Sequence, residues 1–195
     1  YFDIYFYDGG LENKDFISIE SEKAYKKIAN HLNWELKDRY TIILHNSHND
    51  FQQTNVIDVF MREGILGVTE LWKNRMVIPY EGSFQDLKHV IYHELVHVFI
   101  NDGMYGGSVQ NLITANAVSI PKWMNEGLAE YIASSWDVNS DMWIRDLAIN
   151  NEQLPPINSL GGYLAYRGGQ SVWNFITSKW GEESIAQIFH EVQKN

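Results

Sequence analysis

The sequence predicts an α+β fold, and three observations carry it. Strand-like runs end at Tyr80, and helical periodicity fills the chain from Ser83 onward. A mixed α/β first half that carries the strands, followed by a helical second half, is an α+β layout. The 195-residue chain is 45% hydrophobic and 21% charged, an ordinary globular balance that can fill one core.

Tyr1–Tyr7 (YFDIYFY) runs into Asp8-Gly9-Gly10, a strand followed by a turn. From Ser18 to Trp34 the residues Ile19, Ala24, Tyr25, Ile28, Ala29 and Leu32 recur at helical spacing, with Ser18 or Ser21 as the cap. Tyr40–Leu44 (YTIIL) is short, apolar and β-branched, so it reads as a central strand. Residues 46–55 are polar and read as a loop. Ile65–Trp72 and Arg75–Tyr80 are strands joined by a hairpin at Lys73-Asn74, and Pro79 either ends the second strand or places it near an edge. Ser83, with Asp86 three residues on, starts a helix that continues through Leu87, Val90, Ile91, Leu95, Val98 and Phe99 and stops at Asn101-Asp102-Gly103. Further helices are expected at Gly107–Ala117, at Lys122–Ser135 opened by Pro121, at Asn139–Asn150, at Gly162–Trp180 and, beyond Gly181, at Glu182–Lys194.

Charge and composition exclude several functions. The 25 acidic residues against 15 Lys and Arg give a net charge of −10, which argues against nucleic acid or an anionic membrane as the main partner. The absence of cysteine removes disulfides, thiolate metal sites and cysteine nucleophiles together. No apolar run has the length of a membrane span, and the opening YFDIYFYDGG has neither an initiator Met nor the character of a signal peptide. The chain therefore reads as one domain, with an α/β part over about 1–102 and a helical part over about 103–195, processed or excised from a longer protein.

The chemistry lies in the helix that starts at Ser83. It contains His93-Glu94-Leu95-Val96-His97, the pattern H-E-x-x-H. At about 100° per residue the two imidazoles lie one turn apart on one face and can reach one ion. Glu94 is close enough to hold a water on that ion without ligating it. Two neutral nitrogen ligands keep Zn²⁺ strongly Lewis acidic, and a carboxylate takes the proton of the attacking water. The surrounding VIYHELVHVFI is apolar, so both imidazoles and the carboxylate need partners, which a metal supplies.

A hydrolytic zinc site takes a third protein ligand and keeps one position open. The pattern with Gly three and His six residues after the second His is absent, because those positions are Ile100 and Gly103. The one histidine beyond His97 is His190, near the C-terminus, so the third ligand is expected to be a carboxylate on a later helix. Trp123-Met124-Asn125-Glu126-Gly127-Leu128-Ala129-Glu130-Tyr131 offers two, one turn apart, and like charges at that spacing repel unless each has a positive partner. One carboxylate binds metal and the other orients a ligand histidine by accepting its free N–H.

HELVH followed by WMNEGLAEY resembles the gluzincin metallopeptidases of the peptidase MA clan, in which a downstream Asn-Glu-Gly segment carries the third zinc ligand. The resemblance implies a zincin-like fold with Glu126 as that ligand. It places Glu130 where thermolysin-like members carry an acid that supports a ligand histidine. The 28 residues between His97 and Glu126 exceed the spacing of the aminopeptidase branch, so that loop is not carried over. A wider resemblance runs through FDIYFY, HNSHNDFQQTN, GVTELWKNRMVIPYEGSFQDLKHVIYHELVHVF, WMNEGLAEY and AYRGGQSVWNFITSKWGEESIAQIF. It is to a bacterial peptidase-like domain found N-terminal to Tol-type β-propellers, and it implies a periplasmic or cell-envelope home and a C-terminal propeller in the full chain. It also makes the tyrosine of AYRGGQS, Tyr166, the candidate donor to the oxyanion, with Tyr163 second.

The other residues carry less. Val68–Pro79 resembles the edge strand on which an extended substrate pairs in gluzincins. Gly168 and Gly169 permit close approach of another helix. His45 and His48 lack an acid cluster and read as structural, Asp102 reads as a helix-end residue or as a contact behind a metal ligand, and Trp136–Trp143 either rims a cleft or packs on the surface. The expected function is zinc-dependent peptide hydrolysis, with His93, His97 and Glu126 on the metal, Glu94 as base and Tyr166 as oxyanion donor. The alternative is a zincin-fold scaffold beside a propeller, without turnover. An intact Glu94 argues against it, because a scaffold needs no base.

Overall fold

The computed structural model describes residues 1–53, 67–70, 74–106, 120–150 and 154–194. Among the described residues four strands form one sheet in the order β1-β2-β4-β3, with β1 (Phe2–Phe6), β2 (Tyr40–His45) and β4 (Arg75–Pro79) parallel. The last strand, β3 (Val68–Glu70), runs antiparallel to β4 at the end of the sheet. The seven α-helices among the described residues are α1 (Lys14–Leu32), α2 (His48–Gln52), α3 (Phe84–Tyr105), α4 (Lys122–Ser134), α5 (Val138–Asn150), α6 (Tyr163–Trp180) and α7 (Glu183–Gln193). The fold is mixed α+β, as the order of sequence patterns predicts.

Alternation sorts the sheet into two faces. Ile42, Leu44, Met76 and Ile78 turn toward α1 and α3 and join the main core with Ile17, Ile28, Ile91, Leu95 and Phe99. Ile43, Val77 and Val68 turn the other way and are covered by Phe51 of α2. The strand YTIIL is central as expected, because β2 pairs with β1 on one side and β4 on the other.

Several boundaries differ from the sequence reading. Helix α1 starts at Lys14, so neither Ser18 nor Ser21 caps it: Ser18 donates to the carbonyl of Lys14 at 2.8 Å inside the helix, and Ser21 is fully buried. The polar stretch from Asn46 is partly helical, because Ser47 caps α2 by accepting from the Asp50 N–H. Of Ile65–Trp72, the described strand is Val68–Glu70; Lys73 lies outside the described residues, and Asn74 takes the left-handed φ of 47° that a tight hairpin needs. Pro79 ends β4, which is an interior strand. Ser83 caps α3 as read, accepting from the Asp86 N–H at 3.2 Å. Yet α3 runs on to Tyr105 and stops at Gly106, with φ of 63°. Asn101-Asp102-Gly103 does not break it: Asp102 is buried and accepts from the Trp34 indole at 2.8 Å, and Gly103 makes room for the ring of Phe189. The helix expected at Gly107–Ala117 falls outside the described residues.

The crossing of α4 and α6 decides where the chemistry-bearing side chains meet. Gly127 of α4 lies against the backbone of Gly169 of α6, and a Cβ on Gly169 would run into the Trp123 carbonyl. Gly169 thus performs the close approach expected of it, whereas Gly168 faces the side chain of Leu160. The indole N–H of Trp173 locks the crossing by donating to the Met124 carbonyl at 3.1 Å. Gly169→Ala should force the helices apart and destabilise the chain by about 2–3 kcal/mol, read by urea denaturation.

Candidate metal centre

Helix α3 carries three histidines one turn apart, His89, His93 and His97, on the face it presents to α4. Helix α4 answers with Glu126 and Glu130, also one turn apart. The two ladders interlock. His93 Nε2 and His97 Nε2 are 3.2 Å from each other, and Glu126 Oε2 lies 3.4 Å from the first and 3.3 Å from the second. These three atoms form a nearly equilateral triangle. Ligands at about 2.0–2.1 Å in a tetrahedral zinc shell stand about 3.3–3.4 Å from one another, so the triangle has the dimensions of one tetrahedral face. The donor set, two imidazoles and one carboxylate, also fits zinc.

Each imidazole of the triangle is held from behind. His97 Nδ1 donates to Asn125 Oδ1 at 3.1 Å, which leaves its Nε2 lone pair facing the triangle. His93 Nδ1 lies 3.0 Å from Glu130 Oε1, a charge-pairing distance set off the axis of a linear hydrogen bond. Glu130 also meets His89 Nε2 at 3.3 Å and receives the Arg167 guanidinium at 2.9 Å. His89 is fixed in turn by Ser134 Oγ at 2.9 Å from its Nδ1. His89, His93 and Glu130 form a second trio of metal-type atoms. Arg167 already places a positive charge on that carboxylate, and His93 already turns its Nε2 to the first trio. The second trio therefore reads as the support of His93.

The electrostatics of the cluster favour a cation. Burial would push His93 down, but the carboxylates of Glu126, Glu130 and Glu94 override it and raise it to about 10. Burial would likewise raise Glu126 and Glu130, yet the facing imidazoles hold both well below the usual carboxylate range. His93 and Glu94 are 9% and 8% exposed, so these charges interact with little solvent between them.

Glu94 stands beside the triangle and outside it. Its Oε2 accepts from Thr69 Oγ1 of β3 at 2.8 Å. Tyr166 comes to the cluster from α6: its ring stacks on that of His93 with centroids 5.9 Å apart and planes 12° apart. Burial and then the charge of Glu126 push the Tyr166 phenol well above its ordinary value, so it stays a proton donor. Tyr163 does not reach the triangle. It is 49% exposed, accepts from Arg167 Nε at 3.0 Å and meets Trp143 edge-on. His45 and His48 are remote from the cluster and pack on Phe51, with His48 paired to Glu81 at 3.3 Å.

Sequence reasoning brought together His93, Glu94, His97, Glu126, Glu130 and Tyr166. It missed His89, although the spacing of four before His93 extends the histidine stripe by a turn. It gave Arg167 no role, and Thr69 offered no signal, because its partner becomes visible only when the hairpin lies beside α3. No family model, curated protein or solved structure matches the chain.

Among the described residues no helix is long and apolar enough to cross a membrane. Zinc at about 100 times its dissociation constant should add about 2.7 kcal/mol and raise the melting temperature by about 5–10 °C. His97→Ala and Glu126→Gln should each reduce that increment, as read by calorimetry.

Proposed function

We propose that this chain is a zinc-dependent peptidase of the gluzincin type, with a zincin-like arrangement of sheet, active-site helix and later ligand helix. The observation that carries the reading is the triangle of His93, His97 and Glu126 with Glu94 beside it. The resemblance of HELVH and WMNEGLAEY to that family supports the same assignment. It also extends the proposal to an envelope location and a C-terminal β-propeller partner in the full chain.

Zinc held by these three residues supplies a Lewis acid for the scissile carbonyl and lowers the pKa of a water. The chain's own residues do the rest. Glu94 takes the proton of the attacking water on its carboxylate and returns it to the leaving amine. Tyr166, kept protonated, donates its hydroxyl toward the oxygen on which negative charge develops. Asn125 accepts from Nδ1 of His97, and Glu130 pairs by charge with the Nδ1 side of His93, so that each Nε2 faces the triangle. Among the described residues β3 ends the sheet next to α3, where an extended peptide would add as a further strand. The products are a new carboxylate and a new amine, and no group remains on the protein.

The test is cleavage of a broad peptide library by zinc-loaded protein, with metal content read by elemental analysis. Glu94→Gln should bind zinc like the wild type and lose at least about 100-fold in kcat/KM. Zinc in both proteins with no cleavage by either would favour the scaffold reading.

A further inference from the structure

Strand β3 has a relation to Glu94 that the proposed reaction does not itself require. Thr69 lies opposite Met76 in the β3–β4 ladder, so it shares the face of Met76, which points into the core under α3. Its hydroxyl donates to Glu94 Oε2 at 2.8 Å and lies 3.2 Å from the Glu94 backbone carbonyl. Two residues earlier, Gly67 lies against the same side chain. A Cβ there would stand 2.8 Å from Glu94 Cγ and 2.9 Å from Glu94 Oε1. The carboxylate is thus gripped by a hydroxyl at one oxygen and seated over bare backbone at the other.

Resting on the peptidase reading, we propose that Thr69 is the positioning residue for Glu94: it holds Oε2 and so assigns the proton to Oε1. A free glutamate side chain has three rotatable bonds and two equivalent oxygens. A base that must meet a water at one place gains from losing that freedom before substrate arrives. The hydroxyl suits this task. It donates to an ionised carboxylate, and when Oε1 carries the proton, Oε2 remains an acceptor. Because Thr69 belongs to the strand at the end of the sheet, a peptide added to that strand would be fixed on the same element that fixes the base.

The experiment compares Thr69→Val, which keeps the shape and removes the donor, with Thr69→Ser, which restores the donor. Thr69→Val should lower kcat about tenfold with KM within about twofold and zinc content unchanged, and Thr69→Ser should return kcat to near wild type. A second measurement does not use activity. In chelator-treated protein, Thr69→Val should lower the melting temperature by a few degrees with Glu94 present and by less than half as much with Glu94→Ala. Unchanged kcat in an active Thr69→Val protein overturns the positioning role. So does a loss that serine fails to restore, or an equal thermal shift in both backgrounds. A zinc-loaded wild type that cuts no peptide overturns the peptidase reading, and the positioning role falls with it.

Discussion

The structure depends on the facing of two ladders across one helix–helix contact. Helix α3 presents imidazoles every fourth residue, and α4 presents carboxylates at the same interval. Either ladder alone would be costly to bury, since an unpaired charge in an apolar contact costs several kcal/mol. Together they neutralise one another in part: Glu126 against His93 and His97, Glu130 against His93, His89 and Arg167. Counting Glu94, three carboxylates surround the two inner imidazoles, and the excess negative charge faces the point where three donor atoms converge.

That contact needs a third element to hold it. The Gly127–Gly169 crossing brings α6 onto the back of α4, and the two side chains that follow from it, Tyr166 and Arg167, point to different places. Tyr166 stacks on His93, while Arg167 neutralises Glu130 and is itself held by Gln170 and Ser140 of the α5–α6 junction. The glycines therefore serve the site by distance: a methyl group at the crossing would move the phenol and the guanidinium away from the histidines. On the opposite side, Gly67 and Thr69 of β3 and its approach lean on α3, so Glu94 is gripped by the sheet, while His93, His97 and Glu126 are held by the helices.

What the sequence made legible follows from periodicity. Helical spacing alone places His93 with His97 and Glu126 with Glu130 on shared faces, and alternation places YTIIL in the middle of the sheet. What it hid are contacts between residues far apart in the chain. Ser18 looks like a cap because serine favours that position, but the apolar stripe of α1 begins earlier, and packing on the sheet extends the helix through it. Asp102-Gly103 looks like a helix stop, yet Trp34 satisfies the aspartate and Phe189 fills the space left by the glycine, so α3 continues. Thr69 carries no mark at all, because a threonine in a β-strand is ordinary until its hydroxyl is seen to meet a glutamate 25 residues away. Tyr166 could be singled out from eleven tyrosines only by family likeness, and its stacking on His93 is a consequence of the α4–α6 crossing.

The central claim is that the triangle of His93, His97 and Glu126 is a zinc shell, and X-ray absorption at the zinc edge tests it most directly. The account predicts four light-atom neighbours at about 2.0–2.1 Å, with the outer-shell signature of two imidazoles. In Glu126→Gln protein that spectrum should lose its carboxylate contribution. A shell of six oxygens, a single imidazole, or a spectrum unchanged by Glu126→Gln would contradict it.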